Sequence, residues 1–472
     1  MARTKTRRPR MKWAQQIDPA FWALAILLSA AFLFGGGSRD DILSLVILRP
    51  LAVLCLGLGL WTLNSEHLQR YRSSVIWLGA LLALAVIHLI PLPPAIWTAL
   101  PGRELPSQAA IVAGVEQPWL PIALIPWRAW NAFYSLLVPI GIFVLAVQMS
   151  PEQRQRLTYL AVALILLSAA IAIAQVVTGY NRSLYFYRVT NFGEPTGLFA
   201  NRNHFALLMC CAFPLFGAIV PTNRNPDRNA TFILLGILLM SLTLVMLVLL
   251  TGSRAGLVLA PLAIALTALV LDPQPRRSLI SRHRKLIVGA AAGLVLLLIA
   301  IAIYMSRASA IDRLLTTGPD ELRLSSWGPI FAMLGKYFPV GAGIGSFVDV
   351  YRIDEPRQIL GTAYLNHAHN DWLEWGFTLG LPGILLLISA IGLWCLSAVR
   401  LVRERPERLP HGRLARASAV ILLLVGLASL LDYPSRTPVI ACLLAWSAVL
   451  MTSRPPESRT LRKGNPTQAF GQ

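Results

Sequence analysis

The stretch ATFILLGILLMSLTLVMLVLLT, residues 230–251, contains no charged side chain and no proline. An α-helix rises about 1.5 Å per residue, so a run of about 20 apolar residues crosses a hydrocarbon core of about 30 Å. Working outward, runs of the same kind recur at 20–37, 42–63, 74–91, 130–149, 157–177, 199–220, 254–271, 286–305, 379–399, 415–431 and 437–452. The expected fold is therefore all-α, a polytopic transmembrane helical bundle of about twelve spans. The rest of the 472-residue chain agrees: 56% of it is hydrophobic, 14% is charged, and the mean hydropathy is +0.60. Such a composition excludes an ordinary soluble globular protein, a disordered chain and a disulfide scaffold.

The net charge of +20 would suggest nucleic acid in a soluble protein, but here it reads as an orientation signal. Most of the 42 Lys and Arg collect on one side of the bundle: in the tail from Arg3 to Lys12, at 272–285, at 400–416 and after Met451, with Arg70, Arg72, Arg154, Arg156, Arg224 and Arg228. The positive-inside rule makes that side cytoplasmic, with both termini. The chain is expected to be a single polytopic, multi-pass membrane domain, 1–472. Three longer segments then face outward, at about 92–129, 178–198 and 306–378. The last is a large outward-facing loop between the ninth and tenth spans. Its Trp327, Ile330, Phe331 and Leu334 stand at helical spacing, so amphipathic helices at the membrane surface are expected there. All five cysteines (Cys55, Cys210, Cys211, Cys395 and Cys442) fall in apolar runs without ligand spacing and read as packing residues. The run after Phe21 resembles a signal peptide, but Gly35-Gly36-Gly37-Ser38 is a weak cleavage site, and an uncleaved first helix is the expectation.

Four clusters carry chemistry. The first is Asn366-His367-Ala368-His369-Asn370-Asp371-Trp372-Leu373-Glu374-Trp375-Gly376, just ahead of an apolar run. An imidazole at an interface can take a proton from a sugar hydroxyl near neutral pH; it can also simply cap a helix, and His-x-His can bind metal, although no carboxylate spacing completes a site. The second is Thr251-Gly252-Ser253-Arg254-Ala255-Gly256, with Arg254 at a membrane boundary. Burying Arg at a helix centre costs about 2.5–3.5 kcal/mol on insertion scales, so it either snorkels to lipid phosphate or serves a ligand.

The third cluster is Arg323-Leu324-Ser325-Ser326-Trp327, followed by Gly341-Ala342-Gly343-Ile344-Gly345-Ser346-Phe347. The glycine run is a turn between helices or, alternatively, an anion nest for which Arg323 supplies a matching charge. The fourth is Asn201-Arg202-Asn203-His204 at the start of the sixth span, fit to bind sugar or to cap the helix. Lone His88 and Arg49 read as structural. No DxD pair, Walker loop or HExxH occurs. Nucleotide-sugar and ATP chemistry are disfavoured, while an already activated lipid-linked substrate on the outer side stays open.

Taken together, the ordered motifs over about residues 197–390 resemble the O-antigen ligase and O-antigen polymerase (Wzy-type) superfamily of bacterial inner-membrane glycosyltransferases. The ligase signature His-[Asn/Ser/Gln]-nine residues-Gly-two residues-Gly is met by His369, Asn370, Gly380 and Gly383. Ser253-Arg254-Ala255-Gly256 and Arg323 with Trp327 stand in the family's order. The resemblance implies a metal-independent C-type enzyme with no cofactor, in a bacterial inner membrane and with the large loop at 306–378 periplasmic. Its donor would be an undecaprenyl-pyrophosphate-linked glycan and its acceptor a hydroxyl of lipid A-core at the periplasmic face, with membrane lipids and no nucleic acid as its other surroundings.

Carried over, Arg254 and Arg323 would hold the pyrophosphate and His369 would act on the acceptor hydroxyl, with Asn201, Arg202, Asn203, His367 and Asn370 as substrate-binding candidates. Two departures stand out: Thr378 where an acidic residue is common, and Trp327 where a Leu is common. The alternative within the superfamily is an O-antigen or exopolysaccharide polymerase joining lipid-linked repeat units. A lipid or sugar transporter is more distant, because the two halves of the chain do not match.

Overall fold

A computed structural model of the chain describes residues 18–221, 228–271, 319–357, 365–404 and 412–453. Its helices are α1 (Pro19–Phe34), α2 (Leu45–Thr62), α3 (Ser65–Arg70), α4 (Arg72–Ile87), α5 (Pro94–Trp97), α6 (Glu104–Val112), α7 (Pro126–Ala146), α8 (Pro151–Val177), α9 (Arg202–Ile219) and α10 (Arg228–Leu250). They continue as α11 (Arg254–Val270), α12 (Pro319–Tyr337), α13 (Phe347–Ile353), α14 (Asp371–Arg403), α15 (Gly412–Ala428) and α16 (Pro438–Thr452). A two-residue antiparallel ladder pairs Pro91 with Pro121 and Leu92 with Leu120.

Among the described residues six helices are long and apolar enough to cross a membrane: α2, α7, α8, α9, the Thr231–Leu250 part of α10, and α14. Four shorter apolar helices, α1, α4, α11 and α16, accompany them. The apolar run at 286–305 lies outside the described residues, as do the basic segments at the N-terminus and at 272–285, and the count of twelve stays an expectation.

Local sequence explains the helix starts. Asp18 caps α1 by accepting from the Ala20 amide at 3.0 Å, with Pro19 at the first position. Ser150 and Gln153 form a reciprocal capping box ahead of α8.

The core is built around α9, buried along its whole run from His204 to Gly217 and packed on α11 and α15. Small residues permit this approach: a β-carbon added at Gly256 would lie 2.8 Å from that of Ala206. On the other side, α1, α2, α7 and α16 pack on one another. Cys55, Cys210, Cys211 and Cys442 are buried in these contacts, whereas Cys395 on α14 is exposed.

The segment 306–378 does contain helices. On α12, Ile330 is buried, Trp327 and Leu334 are partly buried and Phe331 is exposed; its buried face packs with α13 and the first turns of α14. The helix expected from residue 379 begins instead at Asp371 and is broken at Gly380, whose φ of 61° and ψ of −150° suit only glycine. A β-carbon there would fall 2.1 Å from the Pro339 carbonyl oxygen. The break leaves carbonyls without helical partners, and the glycine run fills them: Ala342 N donates to Phe377 O at 3.0 Å and Gly343 N to Thr378 O at 2.9 Å. In return Leu381 N donates to Pro339 O at 2.8 Å. The amides that an anion nest would need are thus spent on the backbone, so the turn reading holds.

Candidate functional site

The loop 366–370 is clamped by the helix it precedes. Asn370 caps α14 by accepting from Leu373 N at 3.0 Å. Glu374, one turn in, turns back to accept from Ala368 N at 2.9 Å and sits 3.1 Å from His367 Nδ1. Trp327 of α12 donates its indole proton to Ala368 O at 3.3 Å. Between these anchors His369 is held at φ 48°, a left-handed conformation that a residue with a β-carbon rarely adopts. Strain of this kind costs on the order of 1–3 kcal/mol and persists where surroundings over-determine it. His369 is 8% exposed, and its Nδ1 lies 3.1 Å from Asp432 Oδ1.

Asp432 belongs to the short connection between α15 and α16, Ser429-Leu430-Leu431-Asp432-Tyr433-Pro434-Ser435-Arg436, to which sequence reasoning assigned no role. Its other oxygen accepts from Asn203 Nδ2 at 2.8 Å, so His369 and the start of α9 share one carboxylate. Tyr433 places its ring among three imidazoles, with centroids 4.4 Å from His367, 4.7 Å from His369 and 5.1 Å from His204. Arg436 bonds Asp371 at 3.0 Å through Nε and lies 3.3 Å from Glu374 through Nη2. Its burial alone would ease the proton off, but the carboxylates of Glu374 and Asp371 outweigh that and raise its pKa. Asp371 also accepts from the hydroxyls of Ser429 and Ser435. The signal that could have revealed this connection is the one that revealed Arg254: charge between two apolar runs with almost no room for a solvated loop.

Asn201 is spent as the cap of α9, accepting from Asn203 N at 2.8 Å. Arg202 pairs with Glu194, whose carboxyl is pushed above its ordinary value by burial in spite of the adjacent guanidinium. The turn carrying Arg254 is next to this pair, since a β-carbon at Gly252 would lie 3.7 Å from Arg202 Nη1. Ser253 caps α11 through Gly256 N at 3.1 Å, and Arg254 is its first residue, exposed. The start of α9 therefore gathers the Arg254 turn, Arg202, Asn203, Asp432 and His369 into one region. Arg323 falls on α12 outside the residues whose side chains are described. Among the described residues no group of three or more His, Cys, Asp or Glu is arranged to hold a metal ion.

Apolar helices of spanning length mark an integral membrane protein, and a buried His–Asp contact lies near their ends. Residues 239–388 match the family model described as O-antigen ligase, so this third of the chain is similar to that family. The matched stretch contains the Arg254 turn, Arg323, the glycine run and the His369 signature, whereas Asn203 and Asp432 lie outside it. No curated protein matches the chain.

Proposed function

We propose that the protein is an O-antigen ligase-type glycosyltransferase of a bacterial inner membrane. It moves a glycan from undecaprenyl pyrophosphate to a hydroxyl of lipid A-core at the periplasmic face, without metal or cofactor. The single observation that carries this is the contact of His369 with Asp432, in a strained loop beside the starts of α9 and α11. With Nδ1 given to the carboxylate, the Nε2 edge serves the acceptor: it takes the hydroxyl proton as that oxygen bonds to the anomeric carbon. The bond from that carbon to the phosphate oxygen breaks, and undecaprenyl pyrophosphate leaves with the electron pair. Arg254 and Arg323 meet its charge, which a low-dielectric boundary makes more effective than water would. Arg323 stands one helical turn before Trp327, the residue that bonds the carbonyl adjoining His369. Asp432 and Asn203 act as positioning groups, and His367 and Asn370 support the loop.

The test is glycan transfer by membranes carrying single alanine variants. His369→Ala should lower transfer by about 10²-fold or more, the usual contribution of a positioned base, with membrane insertion unchanged. Wild-type transfer by Arg254→Ala, Arg323→Ala and His369→Ala would remove this reading. In a deletion strain, loss of all long chains from lipid A-core with lipid-linked polymer still present marks a ligase, whereas single-repeat products mark a polymerase.

A further inference from the structure

A cavity of about 1150 Å³ runs through the bundle, lined by His367 but not by His369. Its outer end is formed by Arg39, Arg128, His367 and Arg436 together with their partners Asp40, Asp41, Asp371 and Glu374, and it continues inward to Ser74 and Thr452 near the opposite helix ends. The walls between are apolar, among them Leu81, Phe143, Leu387, Leu422 and Leu444. Indole–carbonyl bonds hold α14 to the neighbouring walls, Trp77 Nε1 to Leu386 O and Trp394 Nε1 to Ala419 O, both at 3.0 Å. The volume exceeds the roughly 300–1,000 Å³ of a small-molecule site. Sugars along such walls would lose their hydrogen bonds, whereas hydrocarbon loses nothing.

One turn below the outer end of α2, Arg49 points into the same space. It bonds only neutral groups, the Asn131 carboxamide at 2.7 Å and the Ser135 hydroxyl at 2.9 Å, and its Nε has no hydrogen-bond partner among the described residues. A guanidinium at that depth, beside a hydrocarbon-lined channel, is placed for the phosphate of a lipid headgroup.

The reactive atoms decide which lipid. In a diphosphate-linked donor the anomeric carbon is attached to the phosphate itself, so the donor's anchor must lie at His369. In an acceptor glycolipid the reacting hydroxyl sits on sugars remote from the acyl chains, so its anchor must be offset. The cavity reaches His367 but not His369, and Tyr433, which packs against both imidazoles, does not line it.

Building on the transferase reading above, we infer that this cavity anchors the acyl chains of the phosphorylated acceptor lipid, with Arg49 as its phosphate contact. Arg254 and the start of α9, none of which lines the cavity, then serve the donor.

The experiment reconstitutes the full chain in nanodiscs of phosphatidylethanolamine and phosphatidylglycerol doped with hexa-acylated diphosphoryl lipid A, and counts lipid A retained on extraction by native mass spectrometry. Wild type and Arg254→Ala should retain it. Ala445→Trp, which fills the channel, should lose it, and Arg49→Gln should weaken retention about tenfold, as loss of a charge-assisted bond predicts. The Arg49 variant keeps the test alive if the tryptophan variant fails to fold. Retention indifferent to both variants, or phosphatidylglycerol alone in the channel, overturns the assignment. Retention that follows the cavity variants while wild type transfers no glycan would instead sink the transferase reading and leave a lipid site.

Discussion

Two long helices of this molecule are built by opposite rules. In α9, 78% of the most apolar stretch is buried within the protein; in α14 the figure is 17%. The first is surrounded by helices and carries at its start the residues that meet Asp432. The second, beyond its clamped first turns and the break at Gly380, borders the cavity and is held there by indole hydrogen bonds. The lesson is that apolar length reports only that a helix can cross a membrane, while small residues and tryptophans report how it is held. The tight half fixes the geometry of the polar site, and the loose half leaves room for hydrocarbon.

The largest blow to this contrast should come at its one rigid point in α14. Gly380→Val forces a β-carbon into the Pro339 carbonyl and a φ of 61° on a branched residue. The cost should exceed about 4 kcal/mol and be seen as loss of the monodisperse protein in detergent chromatography. Next, Gly256→Leu should prise α11 from α9 and cost on the order of 1–3 kcal/mol as overpacking, read as a lower melting temperature by intrinsic fluorescence. Trp77→Phe keeps the ring but removes the bond to Leu386 O, worth about 1 kcal/mol, and the same scan should show a small decrease. Last, Leu396→Ala, 73% exposed on α14, should stay within about 0.5 kcal/mol of wild type. A large effect at Leu396, or none at Gly256, would reverse the assignment of tight and loose halves.

Much of the fold was legible in the sequence, because the apolar runs from 20–37 to 437–452 whose residues are described all coincide with helices. The break in α14 was not. Asp371 and Glu374 look like loop residues to a reading that counts charges, and the guanidinium of Arg436, more than sixty positions along the chain, together with Ser429, Ser435 and the Ala368 amide, lets them start a helix. The site was half legible. His369 and the Arg254 turn stood out through local spacing, but the carboxylate opposite His369 is a tertiary contact with no local signature, 63 positions away. Asn201 and Asn370 fit sugar binding and capping equally well from their type alone, and the bonds to Asn203 N and Leu373 N show that their oxygens are engaged in caps.

The left-handed backbone at residue 369 sets durability against chemistry at a single position. Glycine there would relax the loop by about 1–2 kcal/mol, offsetting most of what the lost imidazole contact gave. A laboratory population selected for heat resistance alone would therefore have little reason to keep an imidazole at that spot, and dead but sturdy variants should accumulate in it.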